Sequence, residues 1–140
     1  MNNKASSLVR SNLAYLILLV IVLLPFAVFA GNQMNGASIW SKYYAKEISR
    51  VINLAEPGDI ISLDVHKATK IAKSNGITRL RKEVFTFDNA NKEVCVKLSP
   101  GRETCYSYFN DVDVINEDIE LGVSKNAGNI LVFEIKESTR

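Results

Sequence analysis

Apolar residues are spread very unevenly along the chain, and the strongest feature is one long apolar run. The eighteen residues at positions 13–30 include no charged side chain. Eighteen helical residues extend about 27 Å, close to the roughly 30 Å hydrocarbon thickness of a bilayer. The pattern therefore predicts a transmembrane helix over residues 13–31, preceded by a short polar lead over residues 1–12.

A second periodicity begins after this run. Over residues 32–56 apolar side chains recur at three-and-four spacing, which is typical of an amphipathic helix. The Pro57-Gly58 pair then ends the pattern. We therefore expect an amphipathic helix directly after the apolar run, with apolar positions at Ala37, Trp40, Tyr44, Ile48, Val51 and Ala55.

Aromatic residues are concentrated in the first half of the second helix, at Trp40, Tyr43 and Tyr44. Tryptophan and tyrosine are enriched at membrane–water interfaces, so these side chains are candidate interfacial anchors. With Ile48 and Val51 they form a candidate interface. The same side chains would equally suit packing against a sheet of their own domain, and the pattern leaves both readings open.

The remaining residues, 57–140, show short apolar stretches separated by turn residues. They predict strands near residues 60–65, 84–87, 93–98, 103–108, 119–123 and 130–136, with a turn at 126–129. Asp64 is a plausible N-cap for a short helix that Asn75-Gly76 would close. The expected class is α+β: a transmembrane helix, an amphipathic helix, and a small antiparallel sheet with one short helix on one face.

The two cysteines, Cys95 and Cys105, flank the turn-forming residues Ser99-Pro100-Gly101. If that turn closes a hairpin, the cysteines lie nearly opposite one another, and an oxidising compartment allows a disulfide. The alternative is two unrelated thiols. A metal site is not expected, because the chain has one histidine and no second cysteine pair.

The charge distribution predicts an orientation in the membrane. All fifteen acidic residues lie at Glu47 or beyond, so the net charge of +2 comes from Lys4 and Arg10. Positive charge before an apolar run places that end in the cytoplasm and the later residues outside it. The predicted location is thus the cell membrane, with a single span and an extracytoplasmic domain over residues 57–140.

A signal peptide would share several of these features. A basic start, an apolar centre and a closing Val28-Phe29-Ala30 match a cleavage site after Ala30. In that alternative the mature protein is a secreted or lipid-facing binding domain. The two readings agree that the later residues leave the cytoplasm.

Two segments of the predicted domain carry opposite charges: residues 67–82 are basic and residues 111–120 are acidic. Residues 111–120 hold five acids and no base, and we expect them to form an exposed acidic loop. The segments would pair with each other, face neighbours in an assembly, touch anionic headgroups, or be merely solvated. Without interleaved aromatics, the basic segment gives no indication of nucleic-acid binding. The basic residues are Lys67, Lys70, Lys73, Arg79, Arg81 and Lys82.

Catalytic patterns are sparse. His66 is the single histidine, and no serine or cysteine signature accompanies it. The carboxylate pairs, such as Asp111 with Asp113, lack the spacing of a calcium loop. There is also no glycine-rich phosphate loop. We expect neither enzymatic activity nor a cofactor.

The order of elements resembles small single-pass membrane proteins of archaea over roughly residues 10–135. The resemblance depends on the apolar run, on Ala55-Glu56-Pro57-Gly58-Asp59, and on the segments around Cys95 and Cys105. It implies topology and no particular activity.

The layout is also similar to type IV pilins and pseudopilins, which polymerise by packing their apolar helices together. Arg10 is followed by Ser11 where that family has glycine, and the run lacks the family's early acidic residue. The expected function is a non-enzymatic, membrane-anchored structural or interaction subunit of a cell-envelope assembly. Its expected partners are membrane lipids, other envelope proteins, or copies of itself through the N-terminal helix.

Overall fold

The computed structural model describes residues 3–34, 36–122 and 128–138, and within the first helix it describes side chains for residues 12–29. The chain divides into two compact units, Met1–Asn35 and Gly36–Arg140. Lys4 and Arg10 of the predicted cytoplasmic lead lie outside the described side chains.

The first unit is a single helix, α1, spanning Asn3–Met34. It is longer than the apolar run, because most of the polar lead is helical as well. Its segment Asn12–Phe29 is long and apolar enough to cross a membrane, and a signal sequence would meet the same description. Pro25 lies inside the helix, a position that membrane helices tolerate better than soluble ones.

The second unit begins with an amphipathic helix, α2, spanning Ala37–Leu54. Its buried side chains recur at three-and-four spacing, which matches the predicted periodicity. The helix ends at Leu54, with Ala55 as its C-cap, ahead of the expected Pro57-Gly58 stop. Gly58 has a φ of 99° there, a conformation that glycine adopts without steric cost.

In the rest of the second unit, the described residues form two short helices and six strands. The helices are α3 (His66–Ser74) and α4 (Leu80–Glu83). Asp64 does not form the predicted N-cap, because the boundary residue of α3 is Val65. The strands are β1 (Ile60–Asp64), β2 (Phe85–Asp88), β3 (Glu93–Ser99), β4 (Arg102–Ser107), β5 (Val112–Glu120) and β6 (Ile130–Glu137).

These strands form two antiparallel sheets of three strands each, which confirms the α+β class and corrects the expectation of a single sheet. One sheet has the order β2–β3–β4, in which each strand pairs with its neighbour in sequence. The other has the order β1–β6–β5, so β1 pairs with a strand from the opposite end of the domain. Because of this long-range pairing, β1 lies in a different sheet from β2, β3 and β4, the strands that follow it directly in the sequence.

The predicted acidic loop over residues 111–120 is instead mostly strand β5. Val112 and Val114 are buried while the intervening Asp113 is only half-buried, so the segment alternates as a strand does. A register shift interrupts the pairing between Ile115 and Asp118, and Asn116 has a φ of 53°. Of the other predicted features nearby, Val123 and residues 126–127 of the turn lie outside the described residues.

The core lies between α2, α3 and the two sheets. Val94, Val96 and Leu98 on alternate positions of β3 are fully buried. The ring of Phe87 on β2 lies 5.2 Å from that of Phe133 on β6, which joins the two sheets. From α2, Ile48 and Ile52 enter the same core without any exposed surface.

Candidate functional site

Cys95 and Cys105 form the predicted disulfide. They occupy directly paired positions on β3 and β4, with their Cα atoms 4.0 Å apart. Cys95 is half-buried and Cys105 exposed, whereas their neighbour Val94 faces the core. The disulfide therefore lies on the outer face of the sheet, where it staples the hairpin around Pro100-Gly101.

A carboxylate accompanies the two sulfurs. One ligand atom from each of Glu93, Cys95 and Cys105 lies within 4.8 Å of the others. Metals bind cysteine as the thiolate, and in the disulfide form neither sulfur is one. This cluster is therefore not a metal site in the oxidised protein.

The aromatic residues of α2 form a connected cluster. The ring of Trp40 lies 5.4 Å from that of Tyr43, and Tyr43 lies 5.3 Å from Tyr44. Tyr44 in turn contacts Phe85 of β2 at 6.3 Å. The ammonium group of Lys67 lies 3.8 Å from the centre of the Trp40 ring, which is within cation–π range.

The residues of the predicted interface on α2 differ in how far they are buried. Tyr44 and Ile48 belong to the core, whereas Trp40 and Val51 are half-buried and Tyr43 is 54% exposed. Ile39, which the apolar spacing did not select, is 72% exposed. Its signal in the sequence was a large apolar side chain on the polar face of the helix.

The surroundings of Tyr44 raise the pKa of its phenol. Burial is the main cause that raises its pKa, and the charges of Asp64 and Tyr43 act in the same direction. A backbone hydrogen bond with Ala68 partly opposes them. Tyr44 is therefore a packing residue that connects α2 to α3.

A groove of about 410 Å³ lies beside the aromatic cluster. At its edge the backbone N–H of His66, and not its imidazole ring, donates a 2.8 Å hydrogen bond to Oδ1 of Asp64. The described lining contains neither serine nor cysteine, the nucleophiles that a histidine commonly activates. The lining residues are Trp40, Tyr43, Tyr44, Glu47, Ile48, Leu63, Asp64, His66 and Lys67.

The predicted basic patch divides into two groups. Lys67, Lys70 and Lys73 lie on α3. The second group begins next to α4 and lines a separate depression of about 360 Å³, together with Thr78, Leu80 and Leu121. The second group is Arg79, Arg81 and Lys82.

The basic and acidic segments meet at one described ion pair. Nε of Arg81 lies 3.5 Å from Oδ1 of Asp118, and both side chains are more than half exposed. Exposed pairs of this kind contribute at most about 1 kcal/mol. At the other end of β5, Nζ of Lys92 lies 3.2 Å from Asp111 and 3.5 Å from Asp113.

A short connection between β4 and β5 presents an exposed aromatic ring that the sequence did not single out. Phe109 is 92% exposed. Its N–H donates a 2.7 Å hydrogen bond to Oδ1 of Asn53 on α2. The ring therefore projects from a backbone that is fixed to the end of a helix.

Comparison with known proteins gives no match. No protein-family profile, curated protein or solved structure is significantly similar to the chain. Any proposal about its function therefore depends on the residues and geometry described above.

Proposed function

We propose that the protein is a non-enzymatic, membrane-anchored structural or interaction subunit of a cell-envelope assembly. The observation that carries the proposal is the exposure of α1. None of its segment Asn12–Phe29 is buried, although the second unit has a complete core of its own. So large an apolar surface is favourable in lipid or against other apolar helices, and unfavourable in water.

Charge and disulfide chemistry support one orientation. Lys4 and Arg10 precede the apolar run, and no acidic residue occurs before Glu47. By the positive-inside rule this charge distribution favours a cytoplasmic N-terminus. The Cys95–Cys105 disulfide supports an extracytoplasmic domain, because disulfides persist in oxidising compartments.

The partners that suit an exposed apolar helix are lipids, the spans of other envelope proteins, and further copies of α1. The similarity in layout to pilin-like proteins supports self-association, since such proteins assemble through their apolar helices. The side chains of α1 from Leu13 to Leu24 are all at least 50% exposed where they are large and apolar.

Reporter fusions in cells test the orientation. A reporter that is active only outside the cytoplasm, fused after Arg140, should be active, and a reporter that is active only in the cytoplasm should be silent. The opposite pattern would overturn the proposed orientation and the extracytoplasmic role together.

Photocrosslinking tests the assembly role. A photoreactive residue is placed in turn at Leu18, Leu19, Val20 and Ile21, which at about 100° per residue sample all faces of the helix. We expect a protein adduct from at least one face in intact membranes, with another envelope protein or a second copy. Lipid adducts alone at all four positions would contradict the proposal.

The alternative is a secreted or lipid-facing binding domain released after Ala30. It is favoured by the independence of the second unit, which begins at Gly36 and has its own core. N-terminal sequencing of the protein from its natural host separates the two. A mature N-terminus at Gly31 would support the released domain and overturn the anchor. An intact apolar helix in the mature protein would support the anchor.

A further inference from the structure

The first two turns of α2 carry apolar and aromatic groups toward solvent. Ile39 is 72% exposed and Tyr43 is 54% exposed. Residues four apart share one face of a helix, and the ring of Trp40 lies 5.4 Å from that of Tyr43. Tryptophan and tyrosine favour the membrane–water interface, where the ring is dehydrated and its polar group stays hydrated.

The first turns of α2 are also the part of the domain that follows the apolar helix in the sequence. Helix α1 ends at Met34 and α2 begins at Ala37, so two residues separate them in the sequence. In an anchored chain, so short a tether gives the first turn of α2 a high effective concentration at a bilayer surface. A weak affinity for that surface is then sufficient for docking.

Lysines lie on both helices that carry this surface. Lys42 directly precedes Tyr43 in α2, and the ammonium of Lys67 on α3 lies 3.8 Å from the Trp40 ring centre. Lys70 follows about one turn further along α3 and is exposed. The carboxylates that line the adjoining groove are Glu47, which is 3.7 Å from Arg50, and Asp64, whose Oδ1 accepts the backbone N–H of His66. Both carboxylates have a partner among the described residues, and Lys42 on α2 and Lys70 on α3 are exposed.

The opposite end of α2 has the reverse charge. Asn110 donates hydrogen bonds to the carbonyl oxygens at this end. Asp111 directly follows Asn110, and Glu56 and Asp59 follow the helix in the sequence. The cation Lys92 at this end is already paired with Asp111 and Asp113. A domain that is basic at one end and acidic at the other is oriented by a negatively charged surface.

We propose that the end of the domain formed by the first two turns of α2 and the adjoining lysines of α3 is a docking surface. It binds the interfacial region of a bilayer that contains anionic lipids. Ile39, Trp40 and Tyr43 enter the interface, and Lys42, Lys67 and Lys70 contact lipid phosphates. This inference depends on the membrane anchor proposed above and adds a partner for the domain itself. Docking holds the acidic end of α2 and the exposed Phe109 away from the bilayer.

The single tryptophan, Trp40, provides the readout. The full-length protein is reconstituted into phosphatidylcholine vesicles with or without phosphatidylglycerol, using lipids with brominated acyl chains as quenchers. We expect brominated lipid to quench Trp40 and aqueous acrylamide to quench it poorly, more so with phosphatidylglycerol. Added salt should weaken the phosphatidylglycerol effect, since the Debye length is about 10 Å at 0.1 M and shorter above it.

A pair of matched variants tests the charge contribution. Lys70→Gln should lower the ratio of docked to undocked protein about fivefold in phosphatidylglycerol vesicles, the effect expected for one cation at an anionic surface. Lys136→Gln removes an exposed lysine from β6 and should leave the ratio unchanged. Equal effects of the two variants would overturn a specific docking surface.

Vesicle flotation separates this proposal from the anchor. If the chain fails to float with vesicles, the anchor and the docking surface are both overturned. If it floats but acrylamide quenches Trp40 freely, docking alone is overturned. If Trp40 is shielded from acrylamide but untouched by brominated lipid, protein and not lipid covers the ring, and lipid docking is likewise overturned.

Discussion

The side-chain amide of Asn110 donates a 2.8 Å hydrogen bond to the carbonyl oxygen of Ala55, the C-cap residue of α2. A second bond, of 2.9 Å, reaches the carbonyl oxygen of Ile52. Carbonyl groups at the end of a helix lack partners within the helix. Asn53 completes the arrangement, because its Oδ1 accepts the N–H groups of Phe109 and Asn110. The end of α2 and the β4–β5 connection therefore fix each other.

Replacing Asn110 with alanine should lower the free energy of unfolding by about 1–3 kcal/mol, because the carbonyl groups of Ile52 and Ala55 each lose a part-buried hydrogen bond. Urea unfolding of the full-length protein in detergent measures the change. The control is Asn91→Ala, which removes an exposed hydrogen bond to Asp88 and should cost less than about 1 kcal/mol. Equal costs would contradict a special role for Asn110.

The sequence was most informative where the interactions are local. The amphipathic spacing that ends before Pro57 predicted α2, and Pro100-Gly101 between two alternating segments predicted the β3–β4 hairpin. Cys95 and Cys105 are ten positions apart, so the hairpin register alone brings them together. Each of these features depends on residues within one or two elements.

The features that were missed depend on distant parts of the chain. The pairing of Ile60 with Glu134 across β1 and β6 has no local signal, so one sheet was expected where two exist. The acidic side chains of β5 masked the alternation of Val112 and Val114. The cap from Asn110 to Ile52 joins residues 58 positions apart, and asparagine alone predicts only a turn.

Loss of the disulfide should destabilise the domain without disrupting its core. The bond joins residues ten positions apart, and the chain-entropy model gives about 3 kcal/mol for a loop of this length. A Cys95→Ser, Cys105→Ser double variant should therefore lower the free energy of unfolding by about that amount. A reductant should destabilise the natural sequence similarly and leave the double variant, which has no cysteine, unaffected. An equal effect of the reductant on both proteins would show that the loss of stability does not come from the disulfide.

Stability should fall at high pH because of Tyr108. Burial, followed by the charges of Asp113 and Asp88, raises the pKa of Tyr108 to about 12, and its side chain is 2% exposed. In the unfolded chain the pKa is about 10, so between those values only the unfolded state loses the proton. The contribution is thus complete below about pH 10 and is lost as the pH rises toward 12.

The matched variant for this prediction is Tyr108→Phe. It keeps the buried ring but removes the titrating hydroxyl and its 3.1 Å hydrogen bond to Asn89. Near neutral pH the variant should be less stable by about 1 kcal/mol, the usual net value of one hydrogen bond. Denaturant unfolding across pH 9–12 should show a shallower decline for the variant, and parallel curves would refute the assignment to Tyr108.

Gly36 and Gly101 have similar backbone angles, but only Gly36 lies next to the aromatic cluster. Substitutions at the two positions therefore separate the effect of backbone strain from the effect of contact with Trp40. Gly36 has a φ of 71° and Gly101 a φ of 79°, so alanine at either position should cost about 1–2 kcal/mol. At Gly36 an added Cβ would also lie 3.1 Å from Cδ1 of Trp40, whereas at Gly101 it meets nothing within 4 Å. Gly36→Ala should therefore change the Trp40 fluorescence as well as the stability, because the indole must move by a few tenths of an ångström. Gly101→Ala should change only the stability, and a comparable fluorescence change in that variant would show that Trp40 responds to destabilisation in general.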